Sequence, residues 1–344
     1  MAIRMEIIPS EDQVTLHGPP AESGGVVLEG KVVIYLLEET KVKSLSLKLT
    51  GKAKASWKCT YNGKTHVRHA KREIIKMVKP LLPLKSEPHV LPPGKHEFAF
   101  ELPFEGSLPE TVHVKNGCIQ YMLKAIADRP FPKRKSTQRH EIPIVRFSFP
   151  GSVSHLQPIN VHDVWNDNIP YEISLPVKSF GLGDIIPVTI KLFPEVKDAT
   201  FKSISCHLKE CVTYCKPESG RFKVERQWLN FTTDSDDLSG IFEKTLHLPI
   251  PSESDSIHYD CSTELIKIQH KLKMRVEIDS LEEGEKAFYV EFPIIIMAES
   301  NNGPDQSLPV YTAEWFPNVC ARRMSLPPSY DCVSTSQSTV MTAP

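Results

Sequence analysis

Alternation of apolar and polar positions dominates the first half of the chain. From Ser44 to Trp57, Leu45, Leu47, Leu49, Ala53, Ala55 and Trp57 hold odd positions and Gly51 continues the phase. Lys48, Lys52 and Lys54 hold even ones. A period of two buries one face and leaves the other in water, which is the pattern of a strand. Gly51, inside the run, predicts a bulge or bend. Val26 to Leu37, opened by Gly24-Gly25, is rich in β-branched residues and reads as another strand. Phe98, Phe100 and Leu102 alternate after the turn Leu91-Pro92-Pro93-Gly94, and Ile119, Tyr121, Leu123, Ala125 and Ala127 alternate after Gly117. Ile142 to Phe149 closes the half. No segment carries a 3.6-residue apolar stripe over three turns. Short strands separated by turn signals predict a β-sandwich over residues 1–150.

Residues 151–162 read as a linker, after which the pattern recurs. Val42-Lys43-Ser44-Leu45-Ser46-Leu47-Lys48-Leu49 resembles Phe201-Lys202-Ser203-Ile204-Ser205-Cys206-His207-Leu208, and Phe100-Glu101-Leu102-Pro103 resembles Leu246-His247-Leu248-Pro249. Leu272, Met274, Val276 and Ile278 repeat the alternation of Ile119 to Ala127. The shared order predicts a duplicated sandwich over 163–299. Residues 300–344 turn to Ser, Thr, Asn, Pro and Gln, a composition that predicts a disordered tail.

Charge adds an asymmetry. Residues 1–150 hold 24 Lys and Arg against 15 Asp and Glu, and the remainder holds 17 against 27. A basic front half suggests an acidic partner, either a membrane surface, a phosphorylated segment or an acidic peptide, with a chance imbalance across two surfaces as the plain alternative. Lys133-Arg134-Lys135 is the candidate anionic contact, with a solvated loop as the plain alternative. Nothing points to nucleic acid. The first residues lack a signal-peptide core, no run of 18 apolar residues occurs, and the 8 Cys are scattered. These features predict a cytoplasmic chain with reduced thiols.

Candidate chemistry mostly falls away. Gly25-x4-Gly30-Lys31 nearly matches a phosphate-binding loop, but Val32 stands where a Mg²⁺ ligand is needed and a strand follows instead of a helix. Cys206, His207, Cys211 and Cys215 lack a Cys-x2-Cys pair, and on a strand Cys206 and His207 face opposite sides, so no metal is expected. His66 and His69 read as part of an exposed basic loop, and Asp184 and Arg146 as a turn aspartate and a surface arginine, with a place in a buried network of opposite charges as the alternative. No catalytic constellation and no cofactor site is legible, and the reading is not an enzyme.

The tail carries the sharpest motif. Pro327 and Pro328 have φ fixed near the polyproline II value, so Pro327-Pro328-Ser329-Tyr330 loses little entropy on docking to an aromatic groove, the mode used by WW domains. Leu308-Pro309-Val310-Tyr311 is a degenerate second match, with Leu308, Pro309 and Tyr311 in place and one proline missing; ordinary tail sequence reads the same way. Arg322, Arg323, Ser325 and Pro327 fit a basophilic kinase site and a 14-3-3 ligand, in which phosphate on Ser325 would compete with WW binding.

These residues together resemble the α-arrestin (arrestin-related trafficking adaptor) family. The likeness rests on Gly30, the run Leu45 to Trp57, Leu102-Pro103-Phe104, Leu108-Pro109-Glu110-Thr111-Val112 and Gly117-Cys118-Ile119-Gln120-Tyr121. In the second half it rests on Ile169-Pro170-Tyr171, Gly183-Asp184-Ile185-Ile186-Pro187-Val188 and Ile268-Gln269-His270-Lys271-Leu272-Lys273. It implies an all-β fold of two tandem immunoglobulin-like, arrestin-type sandwiches with a disordered tail. It also implies an adaptor, peripheral at plasma membrane and endosomes, that brings WW-domain HECT ubiquitin ligases to transporters or receptors for ubiquitination and endocytosis. The alternative is an arrestin-like signalling scaffold on a seven-helix membrane sensor.

Overall fold

The computed structural model describes residues 3–132, 135–147, 157–166, 169–193, 200–235, 238–239, 242–253, 256–280 and 284–298. In the first half the strands are β1 (Arg4–Pro9), β2 (Val14–His17), β3 (Val26–Leu36), β4 (Thr40–Val42), β5 (Ser44–Tyr61) and β6 (Lys64–Leu82). They continue with β7 (His89–Leu91), β8 (Gly94–Phe104), β9 (Val112–Val114), β10 (Gly117–Asp128), β11 (Ser136–Glu141) and β12 (Ile144–Phe147). One sheet runs β1-β3-β8 and the other β11-β10-β5-β6, with β9 on β10 and β12 parallel to β2.

The odd residues of β5 face inward as their spacing demands. Leu45, Leu47 and Leu49 are fully buried, and Ile119, Tyr121, Leu123, Ala125 and Ala127 of β10 meet them from the next strand. Leu28, Val32, Phe100 and Leu102 of the opposite sheet join Leu47, Leu49, Tyr121 and Leu123 in one apolar cluster. At Gly51 the β5–β6 register shifts. A Cβ there would lie 2.5 Å from the Tyr121 ring, so the bulge and the missing side chain make room for one aromatic. The Gly25-to-Lys31 stretch runs straight into β3, as a strand and not a nucleotide loop.

The second half is built from β13 (Ile159–Trp165), β14 (Ile169–Leu175), β15 (Ser179–Phe180), β16 (Ile185–Leu192), β17 (Thr200–Lys216) and β18 (Arg221–Asp234). Then come β19 (Leu238–Ser239), β20 (Phe242–Pro249), β21 (Cys261–Ser262), β22 (Ile266–Ser280) and β23 (Gly284–Ile296). Strand β13 starts inside the stretch read as a linker. The sheets run β13-β14-β16-β20 and β15-β23-β22-β17-β18. The pairing repeats the first half: β17 lies between β22 and β18 as β5 lies between β10 and β6, and β20 ends in Leu248-Pro249 beside β16 as β8 carries Leu102-Pro103 beside β3. Leu272, Met274, Val276 and Ile278 are buried in this second core.

One expectation is corrected. His66 and His69 are exposed, but they lie on β6, a 19-residue strand, and not in a loop. Its register is set by Asn62 and Gly63, both at positive φ (50° and 72°), which form a tight two-residue hairpin turn.

Among the described residues, no helix is long and apolar enough to cross a membrane.

Candidate functional site

Three features of the sandwiches carry charge or exposed aromatic surface in a form that a partner could read. The first is the outer face of β11-β10-β5-β6. Cross-strand partners share a face, so the register places Arg139, Lys124 and Lys48 in one row and Lys54 opposite Lys71 in another, with Lys52 and Lys76 between. Among the described residues none of these side chains has an ion pair or hydrogen bond. Like charges set directly opposite each other are destabilising; the Arg139-Lys124-Lys48 row and the Lys54-Lys71 pair have no carboxylate opposite them, whereas Lys52 faces Glu73. Lys54, Lys71, Lys115 and His69 also line a groove of about 610 Å³ with Asn116 and Gly117. Of the expected anionic contact, Lys133 and Arg134 lie outside the described residues. Lys135 is exposed and sits 3.5 Å from Asp128, which offsets part of its charge.

The second feature is the outer face of β18-β17-β22-β23. Trp228 is 56% exposed, Phe231 64% and Tyr289 55%. His207 stacks on Phe231 and meets Trp228 edge-on. Lys273 lies 4.1 Å from the Tyr289 ring centroid and 6.0 Å from that of Trp228, within cation–π reach. Burial, with Lys273 and Arg275 nearby, holds the His207 imidazole below its usual range. Cys206, its neighbour, faces the core, and burial pushes its thiol up to about 12. The two side chains therefore face opposite sides of the strand. Among the described residues no group of three His, Cys, Asp or Glu is placed to hold a metal ion.

The third is the seam where the sandwiches meet. Val212, Tyr214, Cys261, Leu265, Ile266 and Ile268 of the second half belong to the apolar cluster of the first. Trp57 stacks on Tyr214 at 6.4 Å. Asn116 Nδ2 donates to Glu225 at 2.8 Å, and Arg72 pairs with Glu264 at 3.1 Å. Inside this seam Glu210 occupies the inward phase of β17 between Leu208 and Val212, and His270 occupies the inward phase of β22 directly opposite. Asp260 and His258 complete the group. Burial pushes the Glu210 carboxyl up, but hydrogen bonds from His258, together with the nearby His270 ring, outweigh it and bring the pKa to about 2.

Beside this group, Arg146 is nearly buried and donates to the carbonyls of Gly18, Gly106 and Leu108 at 2.8, 2.7 and 2.6 Å, with Glu110 at 3.7 Å. The expected surface arginine is thus an interior clamp that satisfies loop carbonyls burial would otherwise orphan. Burial holds the Glu110 carboxyl above its usual range, partly offset by its own backbone N–H and by Arg146. Asp184 is the turn aspartate expected, accepting the Gly181 N–H at 2.7 Å.

The expected tail sites all lie outside the described residues: Pro327, Pro328, Ser329 and Tyr330; Leu308, Pro309 and Tyr311; Arg322, Arg323 and Ser325. Sequence reasoning missed Glu210 and His270. The signal available was a charged residue standing in the buried phase of each of two strands.

Two family models match: the arrestin (or S-antigen) N-terminal domain over residues 21–147 and the arrestin (or S-antigen) C-terminal domain over 165–301. An arrestin domain-containing protein of Schizosaccharomyces pombe is 28% identical over 305 residues, 85% of this chain and 51% of that protein. The HECT-type ubiquitin ligase-interacting protein creD of Emericella nidulans is 27% identical over 316 residues, 86% and 53% respectively. A putative arrestin-related trafficking adapter of Schizosaccharomyces pombe is 25% identical over 322 residues, 78% and 49% respectively. The chain spans about half the length of these curated relatives. With both domain models matched in order on two sandwiches of repeated topology, the chain belongs to the arrestin family, among the arrestin domain-containing and arrestin-related trafficking proteins called α-arrestins.

Proposed function

We propose that the chain is a non-catalytic trafficking adaptor acting at the cytoplasmic face of plasma membrane and endosomes. Its tail recruits a WW-domain HECT ubiquitin ligase, and its sandwiches hold the membrane transporter or receptor to be ubiquitinated. The observation that carries this reading is Pro327-Pro328-Ser329-Tyr330 in the tail of an arrestin-family chain. Two adjacent prolines and a tyrosine supply a pre-extended ligand with an aromatic anchor. Relatives named HECT-type ubiquitin ligase-interacting protein fit the same role. Leu308, Pro309 and Tyr311 form a weaker second hook, useful through avidity when the ligase carries several WW domains. Arg322, Arg323 and Ser325 form a phosphorylation site whose 14-3-3 complex covers Pro327 and blocks the ligase.

The unpaired lysines of β5, β6 and β10 give the first sandwich a face for an acidic cargo segment, and Lys133-Arg134-Lys135 is a further candidate anionic contact. The test is transporter turnover in cells expressing the full chain or its Tyr330→Ala variant. Loss of cargo ubiquitination with cargo binding intact is the expected result. Unaltered turnover of every cargo that binds the chain overturns the ligase role and leaves the signalling scaffold.

A further inference from the structure

At the seam two histidines face hydrogen-bond acceptors on both sides. His258 Nδ1 lies 3.0 and 3.2 Å from the two carboxylate oxygens of Glu210, and its Nε2 lies 2.9 Å from the His113 carbonyl oxygen of the first sandwich. His270 Nδ1 lies 2.6 Å from Asp260 Oδ1, and its Nε2 lies 3.4 Å from Glu210 Oε2. Neutral imidazole donates from one nitrogen and presents a lone pair at the other. At His258 both neighbours are hydrogen-bonded, so a neutral ring would aim a lone pair at an acceptor; at His270 the Nε2 lies near Glu210 without hydrogen-bond geometry, and the pull there is electrostatic. Imidazolium donates from both nitrogens and removes the conflict.

Charge balance points the same way. Glu210 is 2% exposed and His270 fully buried. Two imidazolium ions offset the carboxylates of Glu210 and Asp260, whereas a neutral ring leaves net negative charge in the interior, which is costly. The Asp260 carboxylate is fixed from a third side by the Ile296 N–H at 2.9 Å. Other charged groups ring the cluster: Glu225, Arg226 and Lys115 line the adjoining groove with Glu210 and His258, Lys223 pairs with Glu225, and the His113 imidazole lies 3.7 Å from Glu141. On the far side Asp260 and Cys261 approach the Glu110–Arg146 pair.

We propose that His258 and His270 are both protonated when the sandwiches are docked and form a proton-held latch across the seam, whose loosening follows loss of the His258 proton. His258 is the lever because it alone of the two spans the sandwiches, from Glu210 on β17 to the backbone of β9, and its side chain is 27% exposed to solvent. The Glu210 hydrogen bond raises the His258 pKa. For His270 burial opposes the charge, but Asp260 and Glu210 outweigh it and the pKa is raised as well. A raised folded-state pKa means the contribution is complete below the ordinary imidazole range, near 6.5, and is lost as pH rises through the folded value. Alkalinisation therefore loosens the seam, while the cores on either side keep their packing.

The test uses the full chain and two readouts. Long-range ¹H–¹⁵N NMR of the histidine rings at pH 6.5 is expected to give the imidazolium signature, both ring nitrogens protonated, for His258 and His270. A single neutral tautomer at either ring overturns the proposal. Amide hydrogen exchange, corrected for the intrinsic pH dependence, is expected to rise at least tenfold in Val112–Val114 and residues 257–266 between pH 6.5 and 8.5. The β3–β8 amides should not change. His258→Gln is expected to exchange at the fast rate at both pH values. A pH step of the same size in His258→Gln, or no step in the natural chain, overturns the proposal. The ring spectrum of the natural chain decides even where a variant fails to fold.

Discussion

Gly51 and Tyr121 show how one residue's absence of a side chain fixes another's place. The Tyr121 ring fills the space a Cβ would need, is itself fully buried, and donates its hydroxyl to the Pro109 carbonyl at 2.7 Å. Gly51→Leu should destabilise the chain by about 1–3 kcal/mol through overpacking, read as a lower urea midpoint with unchanged slope. Trp57, 3% exposed and stacked on Tyr214 across the seam, should cost about 3–5 kcal/mol as Trp57→Ala.

Glu210 gives a prediction of opposite pH sign to the histidines. Its pKa near 2 is depressed, so its contribution is complete above the ordinary glutamate value of about 4.3 and is lost as pH falls from there toward 2. Acid unfolding monitored by tryptophan fluorescence should shift to higher pH midpoint in Asp260→Asn, which weakens the partner that holds His270 charged. An unmoved midpoint contradicts the coupling. At this scale the sequence was legible in part. Gly51 announced its bulge, because the phase of the strand runs through it. Arg146 did not announce its burial, because its three carbonyl partners come from loops 38 to 128 residues away.

Among elements, strands with one buried face declared themselves and strands wet on both sides did not. β5 and β10 alternate cleanly and read as strands from the residues alone. The distal part of β6, Lys64 to Val67, is exposed at every residue, so no hydrophobic phase survives to mark it. Its signal is the turn: Asn62-Gly63 supplies the two positive φ angles that a two-residue hairpin needs. Gly63→Val should therefore shift the β5–β6 register or fray the hairpin tip, and cross-strand NOEs between Thr60 and Thr65 should disappear while the core signals of Leu47 and Tyr121 persist.

The even-phase lysines of β5 were visible in sequence, but their union with Lys71, Lys124 and Arg139 depends on a register that only folding fixes. Lys124→Glu, which sets a carboxylate between Lys48 and Arg139, should remove two repulsions and raise stability by roughly 0.2–1 kcal/mol. The same change should abolish salt-sensitive binding to an acidic cargo peptide. Retained binding would place the cargo elsewhere.

Over the whole molecule, duplication was readable because both copies keep the same strand order. The seam was not, since Tyr214, Cys261 and Ile266 look like ordinary core residues of their own half and yet complete the apolar cluster of the other. A chain arranged in this way offers partners two outer faces of different chemistry, one basic and one aromatic, while its tail carries the hook that defines the adaptor reading. The most direct measurement is isothermal titration of the full chain with the tandem WW domains of a HECT ligase, natural sequence against Tyr330→Ala. The natural chain should bind saturably and the variant at least tenfold more weakly, a difference of about 1.4 kcal/mol. Equal affinity of the two chains would contradict recruitment through Pro327, Pro328 and Tyr330.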